Sequence, residues 1–291
     1  MLDIEEARRI IRGGVPELDV SSLRFFAEGW DYELWEAGGG LLFRLPKREE
    51  CVAPLAVEAR LLAALAGRLP LAVPRPEHVC DGFFSYRKLP GTSLARTELN
   101  ASSAAGASSA IGAFLTKLHA VPVDLAHGAG VTVYTTETWR DHYREFRALC
   151  DRVVSPLLTA PERTAVDEFW NFFVEDDRHF AFRPALVHRD LGLEHILVDG
   201  DGDPSGVIDF ADAAVGDPAI DFVALPHNGL RRPTLAAYEG PVDGTFLDRV
   251  IAYWQIGPFH EVLYGIEIED RTFAESGLEG VRERVVRKKH N

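Results

Sequence analysis

The sequence predicts an α+β protein of two unequal lobes: a small five-stranded antiparallel sheet with one helix, then a larger, mainly helical lobe. Three observations carry this. Short strand-like runs separated by turn residues fill the first quarter of the chain. One stretch of helical periodicity interrupts them. Beyond about residue 90 the apolar spacing becomes mostly helical.

The elements follow in order. "SLRFFAEG" and "YELWEA" read as strands, the glycines at 38–40 as a hairpin turn, and "LLFRLP" as a third strand. From Val52 to Ala66, Leu55, Leu61, Leu62 and Leu65 recur at helical spacing, with Glu58 inside that helix. "PEHVCDG" and "FFSYRKL" supply two more strands. Residues 1–88 are therefore expected to form the small lobe, 89–94 ("LPGTSL") a connector, and 95–291 the larger lobe. Helices are expected there at "SSAAGASSAIGAFLTKLHAV" and at "PERTAVDEFWNFFVEDD". In the second, Pro161 suits a first turn, and Val166, Phe169, Trp170 and Phe173 form one face. "LDRVIAYWQIGPFHEVLYGIE" and "TFAESGLEGVRERVVRKK" are also helical in period, the former expected to break at Gly257-Pro258. A cleft between two lobes is a common place for a ligand.

Composition narrows the partners. The chain carries 31 basic and 45 acidic residues, a formal charge of −14. That argues against nucleic acid or an anionic membrane surface as partner, since both need a basic footprint. It is compatible with a cationic small-molecule acceptor. Cys51, Cys80 and Cys150 are odd in number and far apart, so neither a disulfide framework nor a zinc site is suggested. The start, "MLDIEEARRI", is unlike a signal peptide, and no uncharged apolar run reaches the roughly 18 residues of a membrane span. A cytoplasmic monomer is expected.

Chemistry concentrates at 188–212. Phosphoryl transfer needs a carboxylate for the acceptor hydroxyl, metal over the phosphates and a cation for the nucleotide. Asp190 is the candidate base, on a loop before the strand "HILVD". The turn "GDGDPSG" leads into "VIDF", so the hairpin should bring His195 and Asp209, at its strand end, together beside Asp190. A lone HxD is weak, and a histidine in a strand pattern is more often a core residue. The signal is the combination HxDxxxxH, hairpin and IDF.

The segment "HRDLGLEHILVDGDGDPSGVIDFADAAVGDPAIDF" resembles the catalytic core of the aminoglycoside phosphotransferase superfamily, relatives of the protein kinases. His195 stands where kinases place asparagine, a change shared by most aminoglycoside 2″-phosphotransferases and by macrolide 2′-phosphotransferases. The resemblance extends to "LLFRLPKREE", "AVEARLLAAL" and "YWQIGPFHEVLYGIEIED". It implies a protein-kinase-like fold, with Asp190 as base and His188 shaping its loop. It makes His195 and Asp209 ligands of magnesium, with manganese an alternative suited to an imidazole. Asp221 corresponds to a buried aspartate that steadies the loop, although a helix N-cap is an equally good reading. Glu58 corresponds to the glutamate that pairs with a strand cation near the phosphates. Arg44 stands where that cation is usually lysine, and Lys47 is the alternative. The nucleotide base, of ATP or GTP, is expected against backbone from about Arg87 to Leu89.

For the acceptor, the resemblance implies an acidic site, which Glu261, Glu267, Glu269 and Asp270 would provide, with Trp254 and Tyr264 as faces for sugar rings. Arg231 and Arg232 depart from that pattern. The implied activity is transfer of the γ-phosphate to an antibiotic hydroxyl, as in antibiotic resistance, with an aminoglycoside (2″-type) first. A macrolide 2′-phosphotransferase or another small-molecule kinase of the superfamily is the alternative. The non-enzyme alternative is a nucleotide-binding pseudokinase, consistent with the missing lysine but opposed by the joint presence of Asp190, His195 and Asp209.

Overall fold

The computed structural model describes residues 2–225 and 229–287. It opens with a helix that the strand pattern does not announce. α1 (Ile4–Gly14) is capped by Asp3, whose carboxylate accepts from the Glu6 N–H, and it buries Ala7 and Ile11. β1 (Arg24–Glu28), β2 (Tyr32–Ala37) and β3 (Leu41–Pro46) form an antiparallel meander. The turn between β2 and β3 uses Gly38, Gly39 and Gly40 at φ 47°, 72° and 93°, a left-handed run that only glycine adopts without steric cost. α2 (Val52–Leu65) crosses behind, and β4 (Pro76–Cys80) and β5 (Phe83–Arg87) complete a sheet of order β1-β2-β3-β5-β4.

β3 lies at the centre of this sheet, and strand alternation decides what each face receives. Leu41, Phe43 and Leu45 pack in the small core around α1. Leu42 joins the main core with Leu55, Leu62 and Leu65 of α2. Arg44 shares the Leu42 face, so the strand period delivers a cation to the α2 side.

The remaining chain is mainly helical, as its periodicity leads one to expect. β6 (Thr92–Ser93) is followed by α3 (Ala101–His119), α4 (Val123–Gly128), α5 (Thr136–Val153) and α6 (Ala160–Glu175). β7 (Ala185–Val187), β8 (Ile196–Val198), β9 (Pro204–Val207) and β10 (Ala214–Gly216) are short, and α7 (Arg231–Ala237), α8 (Phe246–Glu267) and α9 (Arg271–Val281) finish the fold. β6, β8 and β9 form one small sheet and β7 with β10 another.

Gly257-Pro258 does not break α8, contrary to expectation. Proline removes a helical hydrogen bond and frees the carbonyl four residues back. Here that carbonyl, on Trp254, accepts from Arg284 Nη1 at 3.0 Å, and the Arg284 guanidinium lies over the Trp254 ring at 4.7 Å. The expected last helix ends in a π-turn at Arg282–Val286, and the lysines of its "RKK" tail lie outside the described residues. No described helix is long and apolar enough to cross a membrane.

Candidate active site

The site is built around a loop held by one buried carboxylate. β7 pairs antiparallel with β10 and delivers His188 and Arg189 to Asp221, which is fully buried. Asp221 Oδ2 accepts from the His188 N–H at 2.9 Å and Oδ1 from the Arg189 N–H at 2.7 Å. His119 Nε2 reaches Oδ2 at 3.0 Å. The nearby cap is supplied by Asp217, which accepts from the Ala219 N–H. Arg189 takes φ 73°, a left-handed conformation costly for a side chain of this size, and the two Asp221 bonds hold the backbone that leads into it. His188 is buried and kept below its ordinary pKa by that burial, and its Nε2 donates to the Ile208 carbonyl at 3.0 Å.

His195 lies in the short 3-10 turn Leu193–His195, just before β8 rather than within a strand. The last rung of the hairpin is the Ile208 N–H to the His195 carbonyl at 2.9 Å. Asp209 falls beyond β9, not at its end, because φ 67° turns the chain out of the strand. His195 Nδ1 donates to the Asp190 carbonyl at 2.7 Å. With its proton there, Nε2 presents a lone pair, 3.9 Å from Asp209 Oδ2. The Asp190 carboxylate lies 3.6 Å from His195 Nδ1. One imidazole thus stands between the two carboxylates.

A second chain of charges backs Asp209. Its Oδ1 accepts from Arg44 Nη2 at 2.7 Å, and Arg44 Nε lies 3.0 Å from Glu58 Oε2 as an ion pair. Glu58 Oε1 accepts from the Phe210 N–H at 3.1 Å, which returns the chain to the residue after Asp209. The Arg44 guanidinium also covers the Tyr32 ring at 4.2 Å. Lys47 is elsewhere, paired with Glu28 at 2.6 Å.

These contacts set the protonation preferences. Burial works against charge on Arg44, but Glu58 and Asp209 outweigh it and raise its pKa. Burial pushes Glu58 up to about 7, with Arg44 opposing and Asp209 adding to the rise. Burial would raise Asp209 as well, yet Arg44 and then His195 hold it below the usual carboxylate range. Asp190 is pushed up to about 6 by the surrounding protein, His195 opposing and Asp212 and Asp209 adding, although its side chain is 59% exposed at the cleft.

Asp209 and His195 offer two facing metal donors. Among the described residues no group of three or more His, Cys, Asp or Glu is placed to hold a metal. That donor set suits an ion that arrives with a nucleotide and takes its other ligands from phosphate and water.

Other sequence candidates are more dispersed. Arg87 is exposed, paired with Glu77 at 3.2 Å and donating to the Gly38 carbonyl at 3.2 Å. Leu89 is half-buried against Gly206. Trp254 lies beneath Arg284, and Glu261 packs against Gly277 of α9. Glu267 and Glu269 are exposed where α8 ends, and Asp270 caps α9 by accepting from the Phe273 N–H at 3.0 Å. One face of Tyr264 is covered by Trp30. Arg231 is buried and donates to the Phe222 and Val223 carbonyls at 3.1 and 2.9 Å, while Arg232 is exposed. The first of the two departing arginines therefore serves the fold.

Sequence reading misses the buried cluster beneath the loop. Arg249 Nε donates to Asp217 Oδ2 at 2.6 Å, Tyr253 Oη to the same oxygen at 2.7 Å, and Trp139 Nε1 to Tyr253 Oη at 2.8 Å. An arginine on the buried face of a helical pattern is the signal that would have found it.

Comparison with known proteins follows this geometry. Residues 22–261 match the family described as "Phosphotransferase enzyme family". The chain is 27% identical over 198 residues to the uncharacterized protein YcbJ of Bacillus subtilis (strain 168), covering 65% of this chain and 63% of that protein. It is 32% identical over 103 residues to viomycin phosphotransferase of Streptomyces vinaceus, covering 34% of this chain and 36% of that one. The chain thus spans less than two thirds of the length of these curated relatives. Among solved structures, the GDP and kanamycin complex of APH(2″)-IIIa superposes with a TM-score of 0.87 at 24% identity, covering 97% of this chain and 99% of that one. The macrolide 2′-phosphotransferase MphH of Brachybacterium faecium, an apoenzyme, gives 0.74 at 27% identity, covering 94% and 96%.

Proposed function

The chain belongs to the phosphotransferase enzyme family, and from that premise we propose that it moves the γ-phosphoryl group of ATP or GTP to a hydroxyl of an antibiotic, an aminoglycoside phosphorylated in the 2″ manner. The observation that carries the phosphoryl-transfer part of this reading is the placement of His195. Its Nδ1 is committed to the Asp190 carbonyl, and its Nε2 faces Asp209.

Asp190 receives the proton of the acceptor hydroxyl, and Asp221 fixes the loop that aims it. Asp209 and His195 would hold the ion that accompanies the nucleotide. Magnesium or manganese there would draw charge from the phosphate oxygens. Arg44 fixes Asp209 from behind through its planar fork while Glu58 holds the other side of the guanidinium. The segment 89–94 serves as hinge between lobes 1–88 and 95–291, and the backbone from Arg87 to Leu89 meets the nucleotide base. Glu261, Glu267, Glu269 and Asp270, on α8 and the turn into α9, form the acidic side that receives a cationic acceptor, with Trp254 as a ring face beside them. Support for the acceptor class comes from the kanamycin-bound relative of the same fold.

A macrolide acceptor is the second reading, favoured by the 27% identity to MphH over nearly the whole chain. The experiment that separates them incubates the protein with magnesium, ATP or GTP, and kanamycin-type, gentamicin-type and macrolide compounds. The expected result is a mass gain of one phosphoryl group on an aminoglycoside. A gain on macrolides alone selects the second reading, and no gain on any compound rejects both.

A further inference from the structure

The turn between β1 and β2 ties itself firmly at its base. The Gly29 N–H donates to the Tyr32 carbonyl at 2.9 Å, and the Lys47 N–H to the Asp31 carbonyl at 2.8 Å. Arg48 Nη2 pairs with Asp31 Oδ1 at 2.5 Å. Tyr32, which closes the turn, carries the Arg44 guanidinium over its ring. The turn therefore stands beside the cation that fixes Asp209.

From the tip of this turn Trp30 reaches to the helical part of the molecule. Its indole stacks on Tyr264 of α8 with ring centroids 3.9 Å apart and planes 3° from parallel. Phe273 of α9 meets both rings edge-on, at 6.2 Å from Trp30 and 5.7 Å from Tyr264. Trp30 is still 47% exposed, so its place is set by the stack more than by burial. A loop that covers nucleotide phosphates commonly takes its contour from several glycines, which let the backbone approach closely. This turn has only Gly29.

We propose that Trp30, Tyr264 and Phe273 form an aromatic clasp that draws the β1–β2 turn across the cleft onto the nucleotide phosphates, making Trp30 a positioning residue. The clasp does by side-chain stacking what a glycine-rich loop does by backbone fit. It rests on the nucleotide-binding reading above. It also places an N-terminal side chain on α8, so an acceptor ring cannot use that face of Tyr264 while the clasp is closed.

The test is equilibrium binding of ATP and GTP, with magnesium, to the parent protein and to Trp30→Phe, Trp30→Ala, Tyr264→Ala and the double alanine variant. Stacked aromatic pairs predict a loss of about three- to tenfold in nucleotide affinity for each single alanine variant. Trp30→Phe is expected to bind as the parent does, and the double variant no worse than the weaker single. Tm is expected to fall by only about 2–4 °C for Trp30→Ala, the cost of one lost stack at a half-open site, and to stay at the parent's value for Trp30→Phe. Parent-like affinity in Trp30→Ala, or losses that add independently in the double variant, would overturn the clasp. Failure of the parent to bind either nucleotide would overturn the functional reading itself, and the clasp with it.

Discussion

Arg44 is 7% exposed at its side chain and lies between Glu58 at 3.0 Å and Asp209 at 2.7 Å. Removing it leaves two carboxylates facing each other, one of them buried. Breaking a buried pair in this way costs about 3–5 kcal/mol. Arg44→Ala is therefore expected to lower the unfolding free energy by an amount in that range, read from the shift of the denaturant midpoint at unchanged m. Arg44→Lys should fall between parent and alanine variant, because one ammonium cannot span both partners as a planar fork does. A midpoint for Arg44→Ala equal to the parent's would show that the pair does not hold the two parts of the site together. The strand that carries Arg44 and the helix that carries Glu58 are legible from their local periods, while the pairing of the two residues is what the family resemblance implies. Trp30 is not legible, since nothing near it in the chain announces Tyr264.

Among the elements, α8 depends on a side chain from beyond its own end. Pro258 frees the Trp254 carbonyl, and Arg284 satisfies it. An unmet buried acceptor costs about 1–3 kcal/mol. Arg284→Ala is accordingly expected to destabilise the protein by about that much, and more weakly in a Pro258→Ala background, where the helical N–H is restored. Equal losses in both backgrounds would mean that Arg284 acts only by packing on Trp254. This explains why the expected break at Gly257-Pro258 does not occur: the repair comes from a residue that no local reading of α8 includes. α5 has a signal that was open to reading. Trp139, Tyr143 and Cys150 lie on one buried face behind a Thr135–Thr138 cap, but its many charges mask the period. β7 and β10 are three residues each and find each other through the fold, so neither has a period to detect.

For the molecule as a whole, the half-buried His142 in the helical part gives acid sensitivity. His142 is lowered by burial from 6.5 to about 4, with the Arg189 charge, whose Nη2 donates to His142 Nε2 at 3.0 Å, adding to the effect. It stays neutral in the fold and takes up a proton when unfolded, so its contribution to stability is present above pH 6.5 and is lost as pH falls towards 4. Glu58 and Asp190, pushed up, contribute with opposite sign over part of that range. The prediction is therefore made on a difference: His142→Gln should show a shallower fall in denaturant midpoint between pH 7 and 4.5 than the parent. An identical slope would remove His142 from the acid response. At this scale the two-part plan and the hairpin carrying Asp190, His195 and Asp209 are legible, because both rest on short-range pattern. The Asp217–Arg249 cluster beneath them joins distant segments and is not. The central claim, that Asp190 is the base of a phosphoryl transfer, is tested most directly by comparing phosphorylation rates of the parent and Asp190→Asn on the same acceptor. The predicted result is a loss of about 10²–10⁴-fold with unchanged Tm and nucleotide affinity. A variant that transfers phosphate at the parent's rate would contradict it.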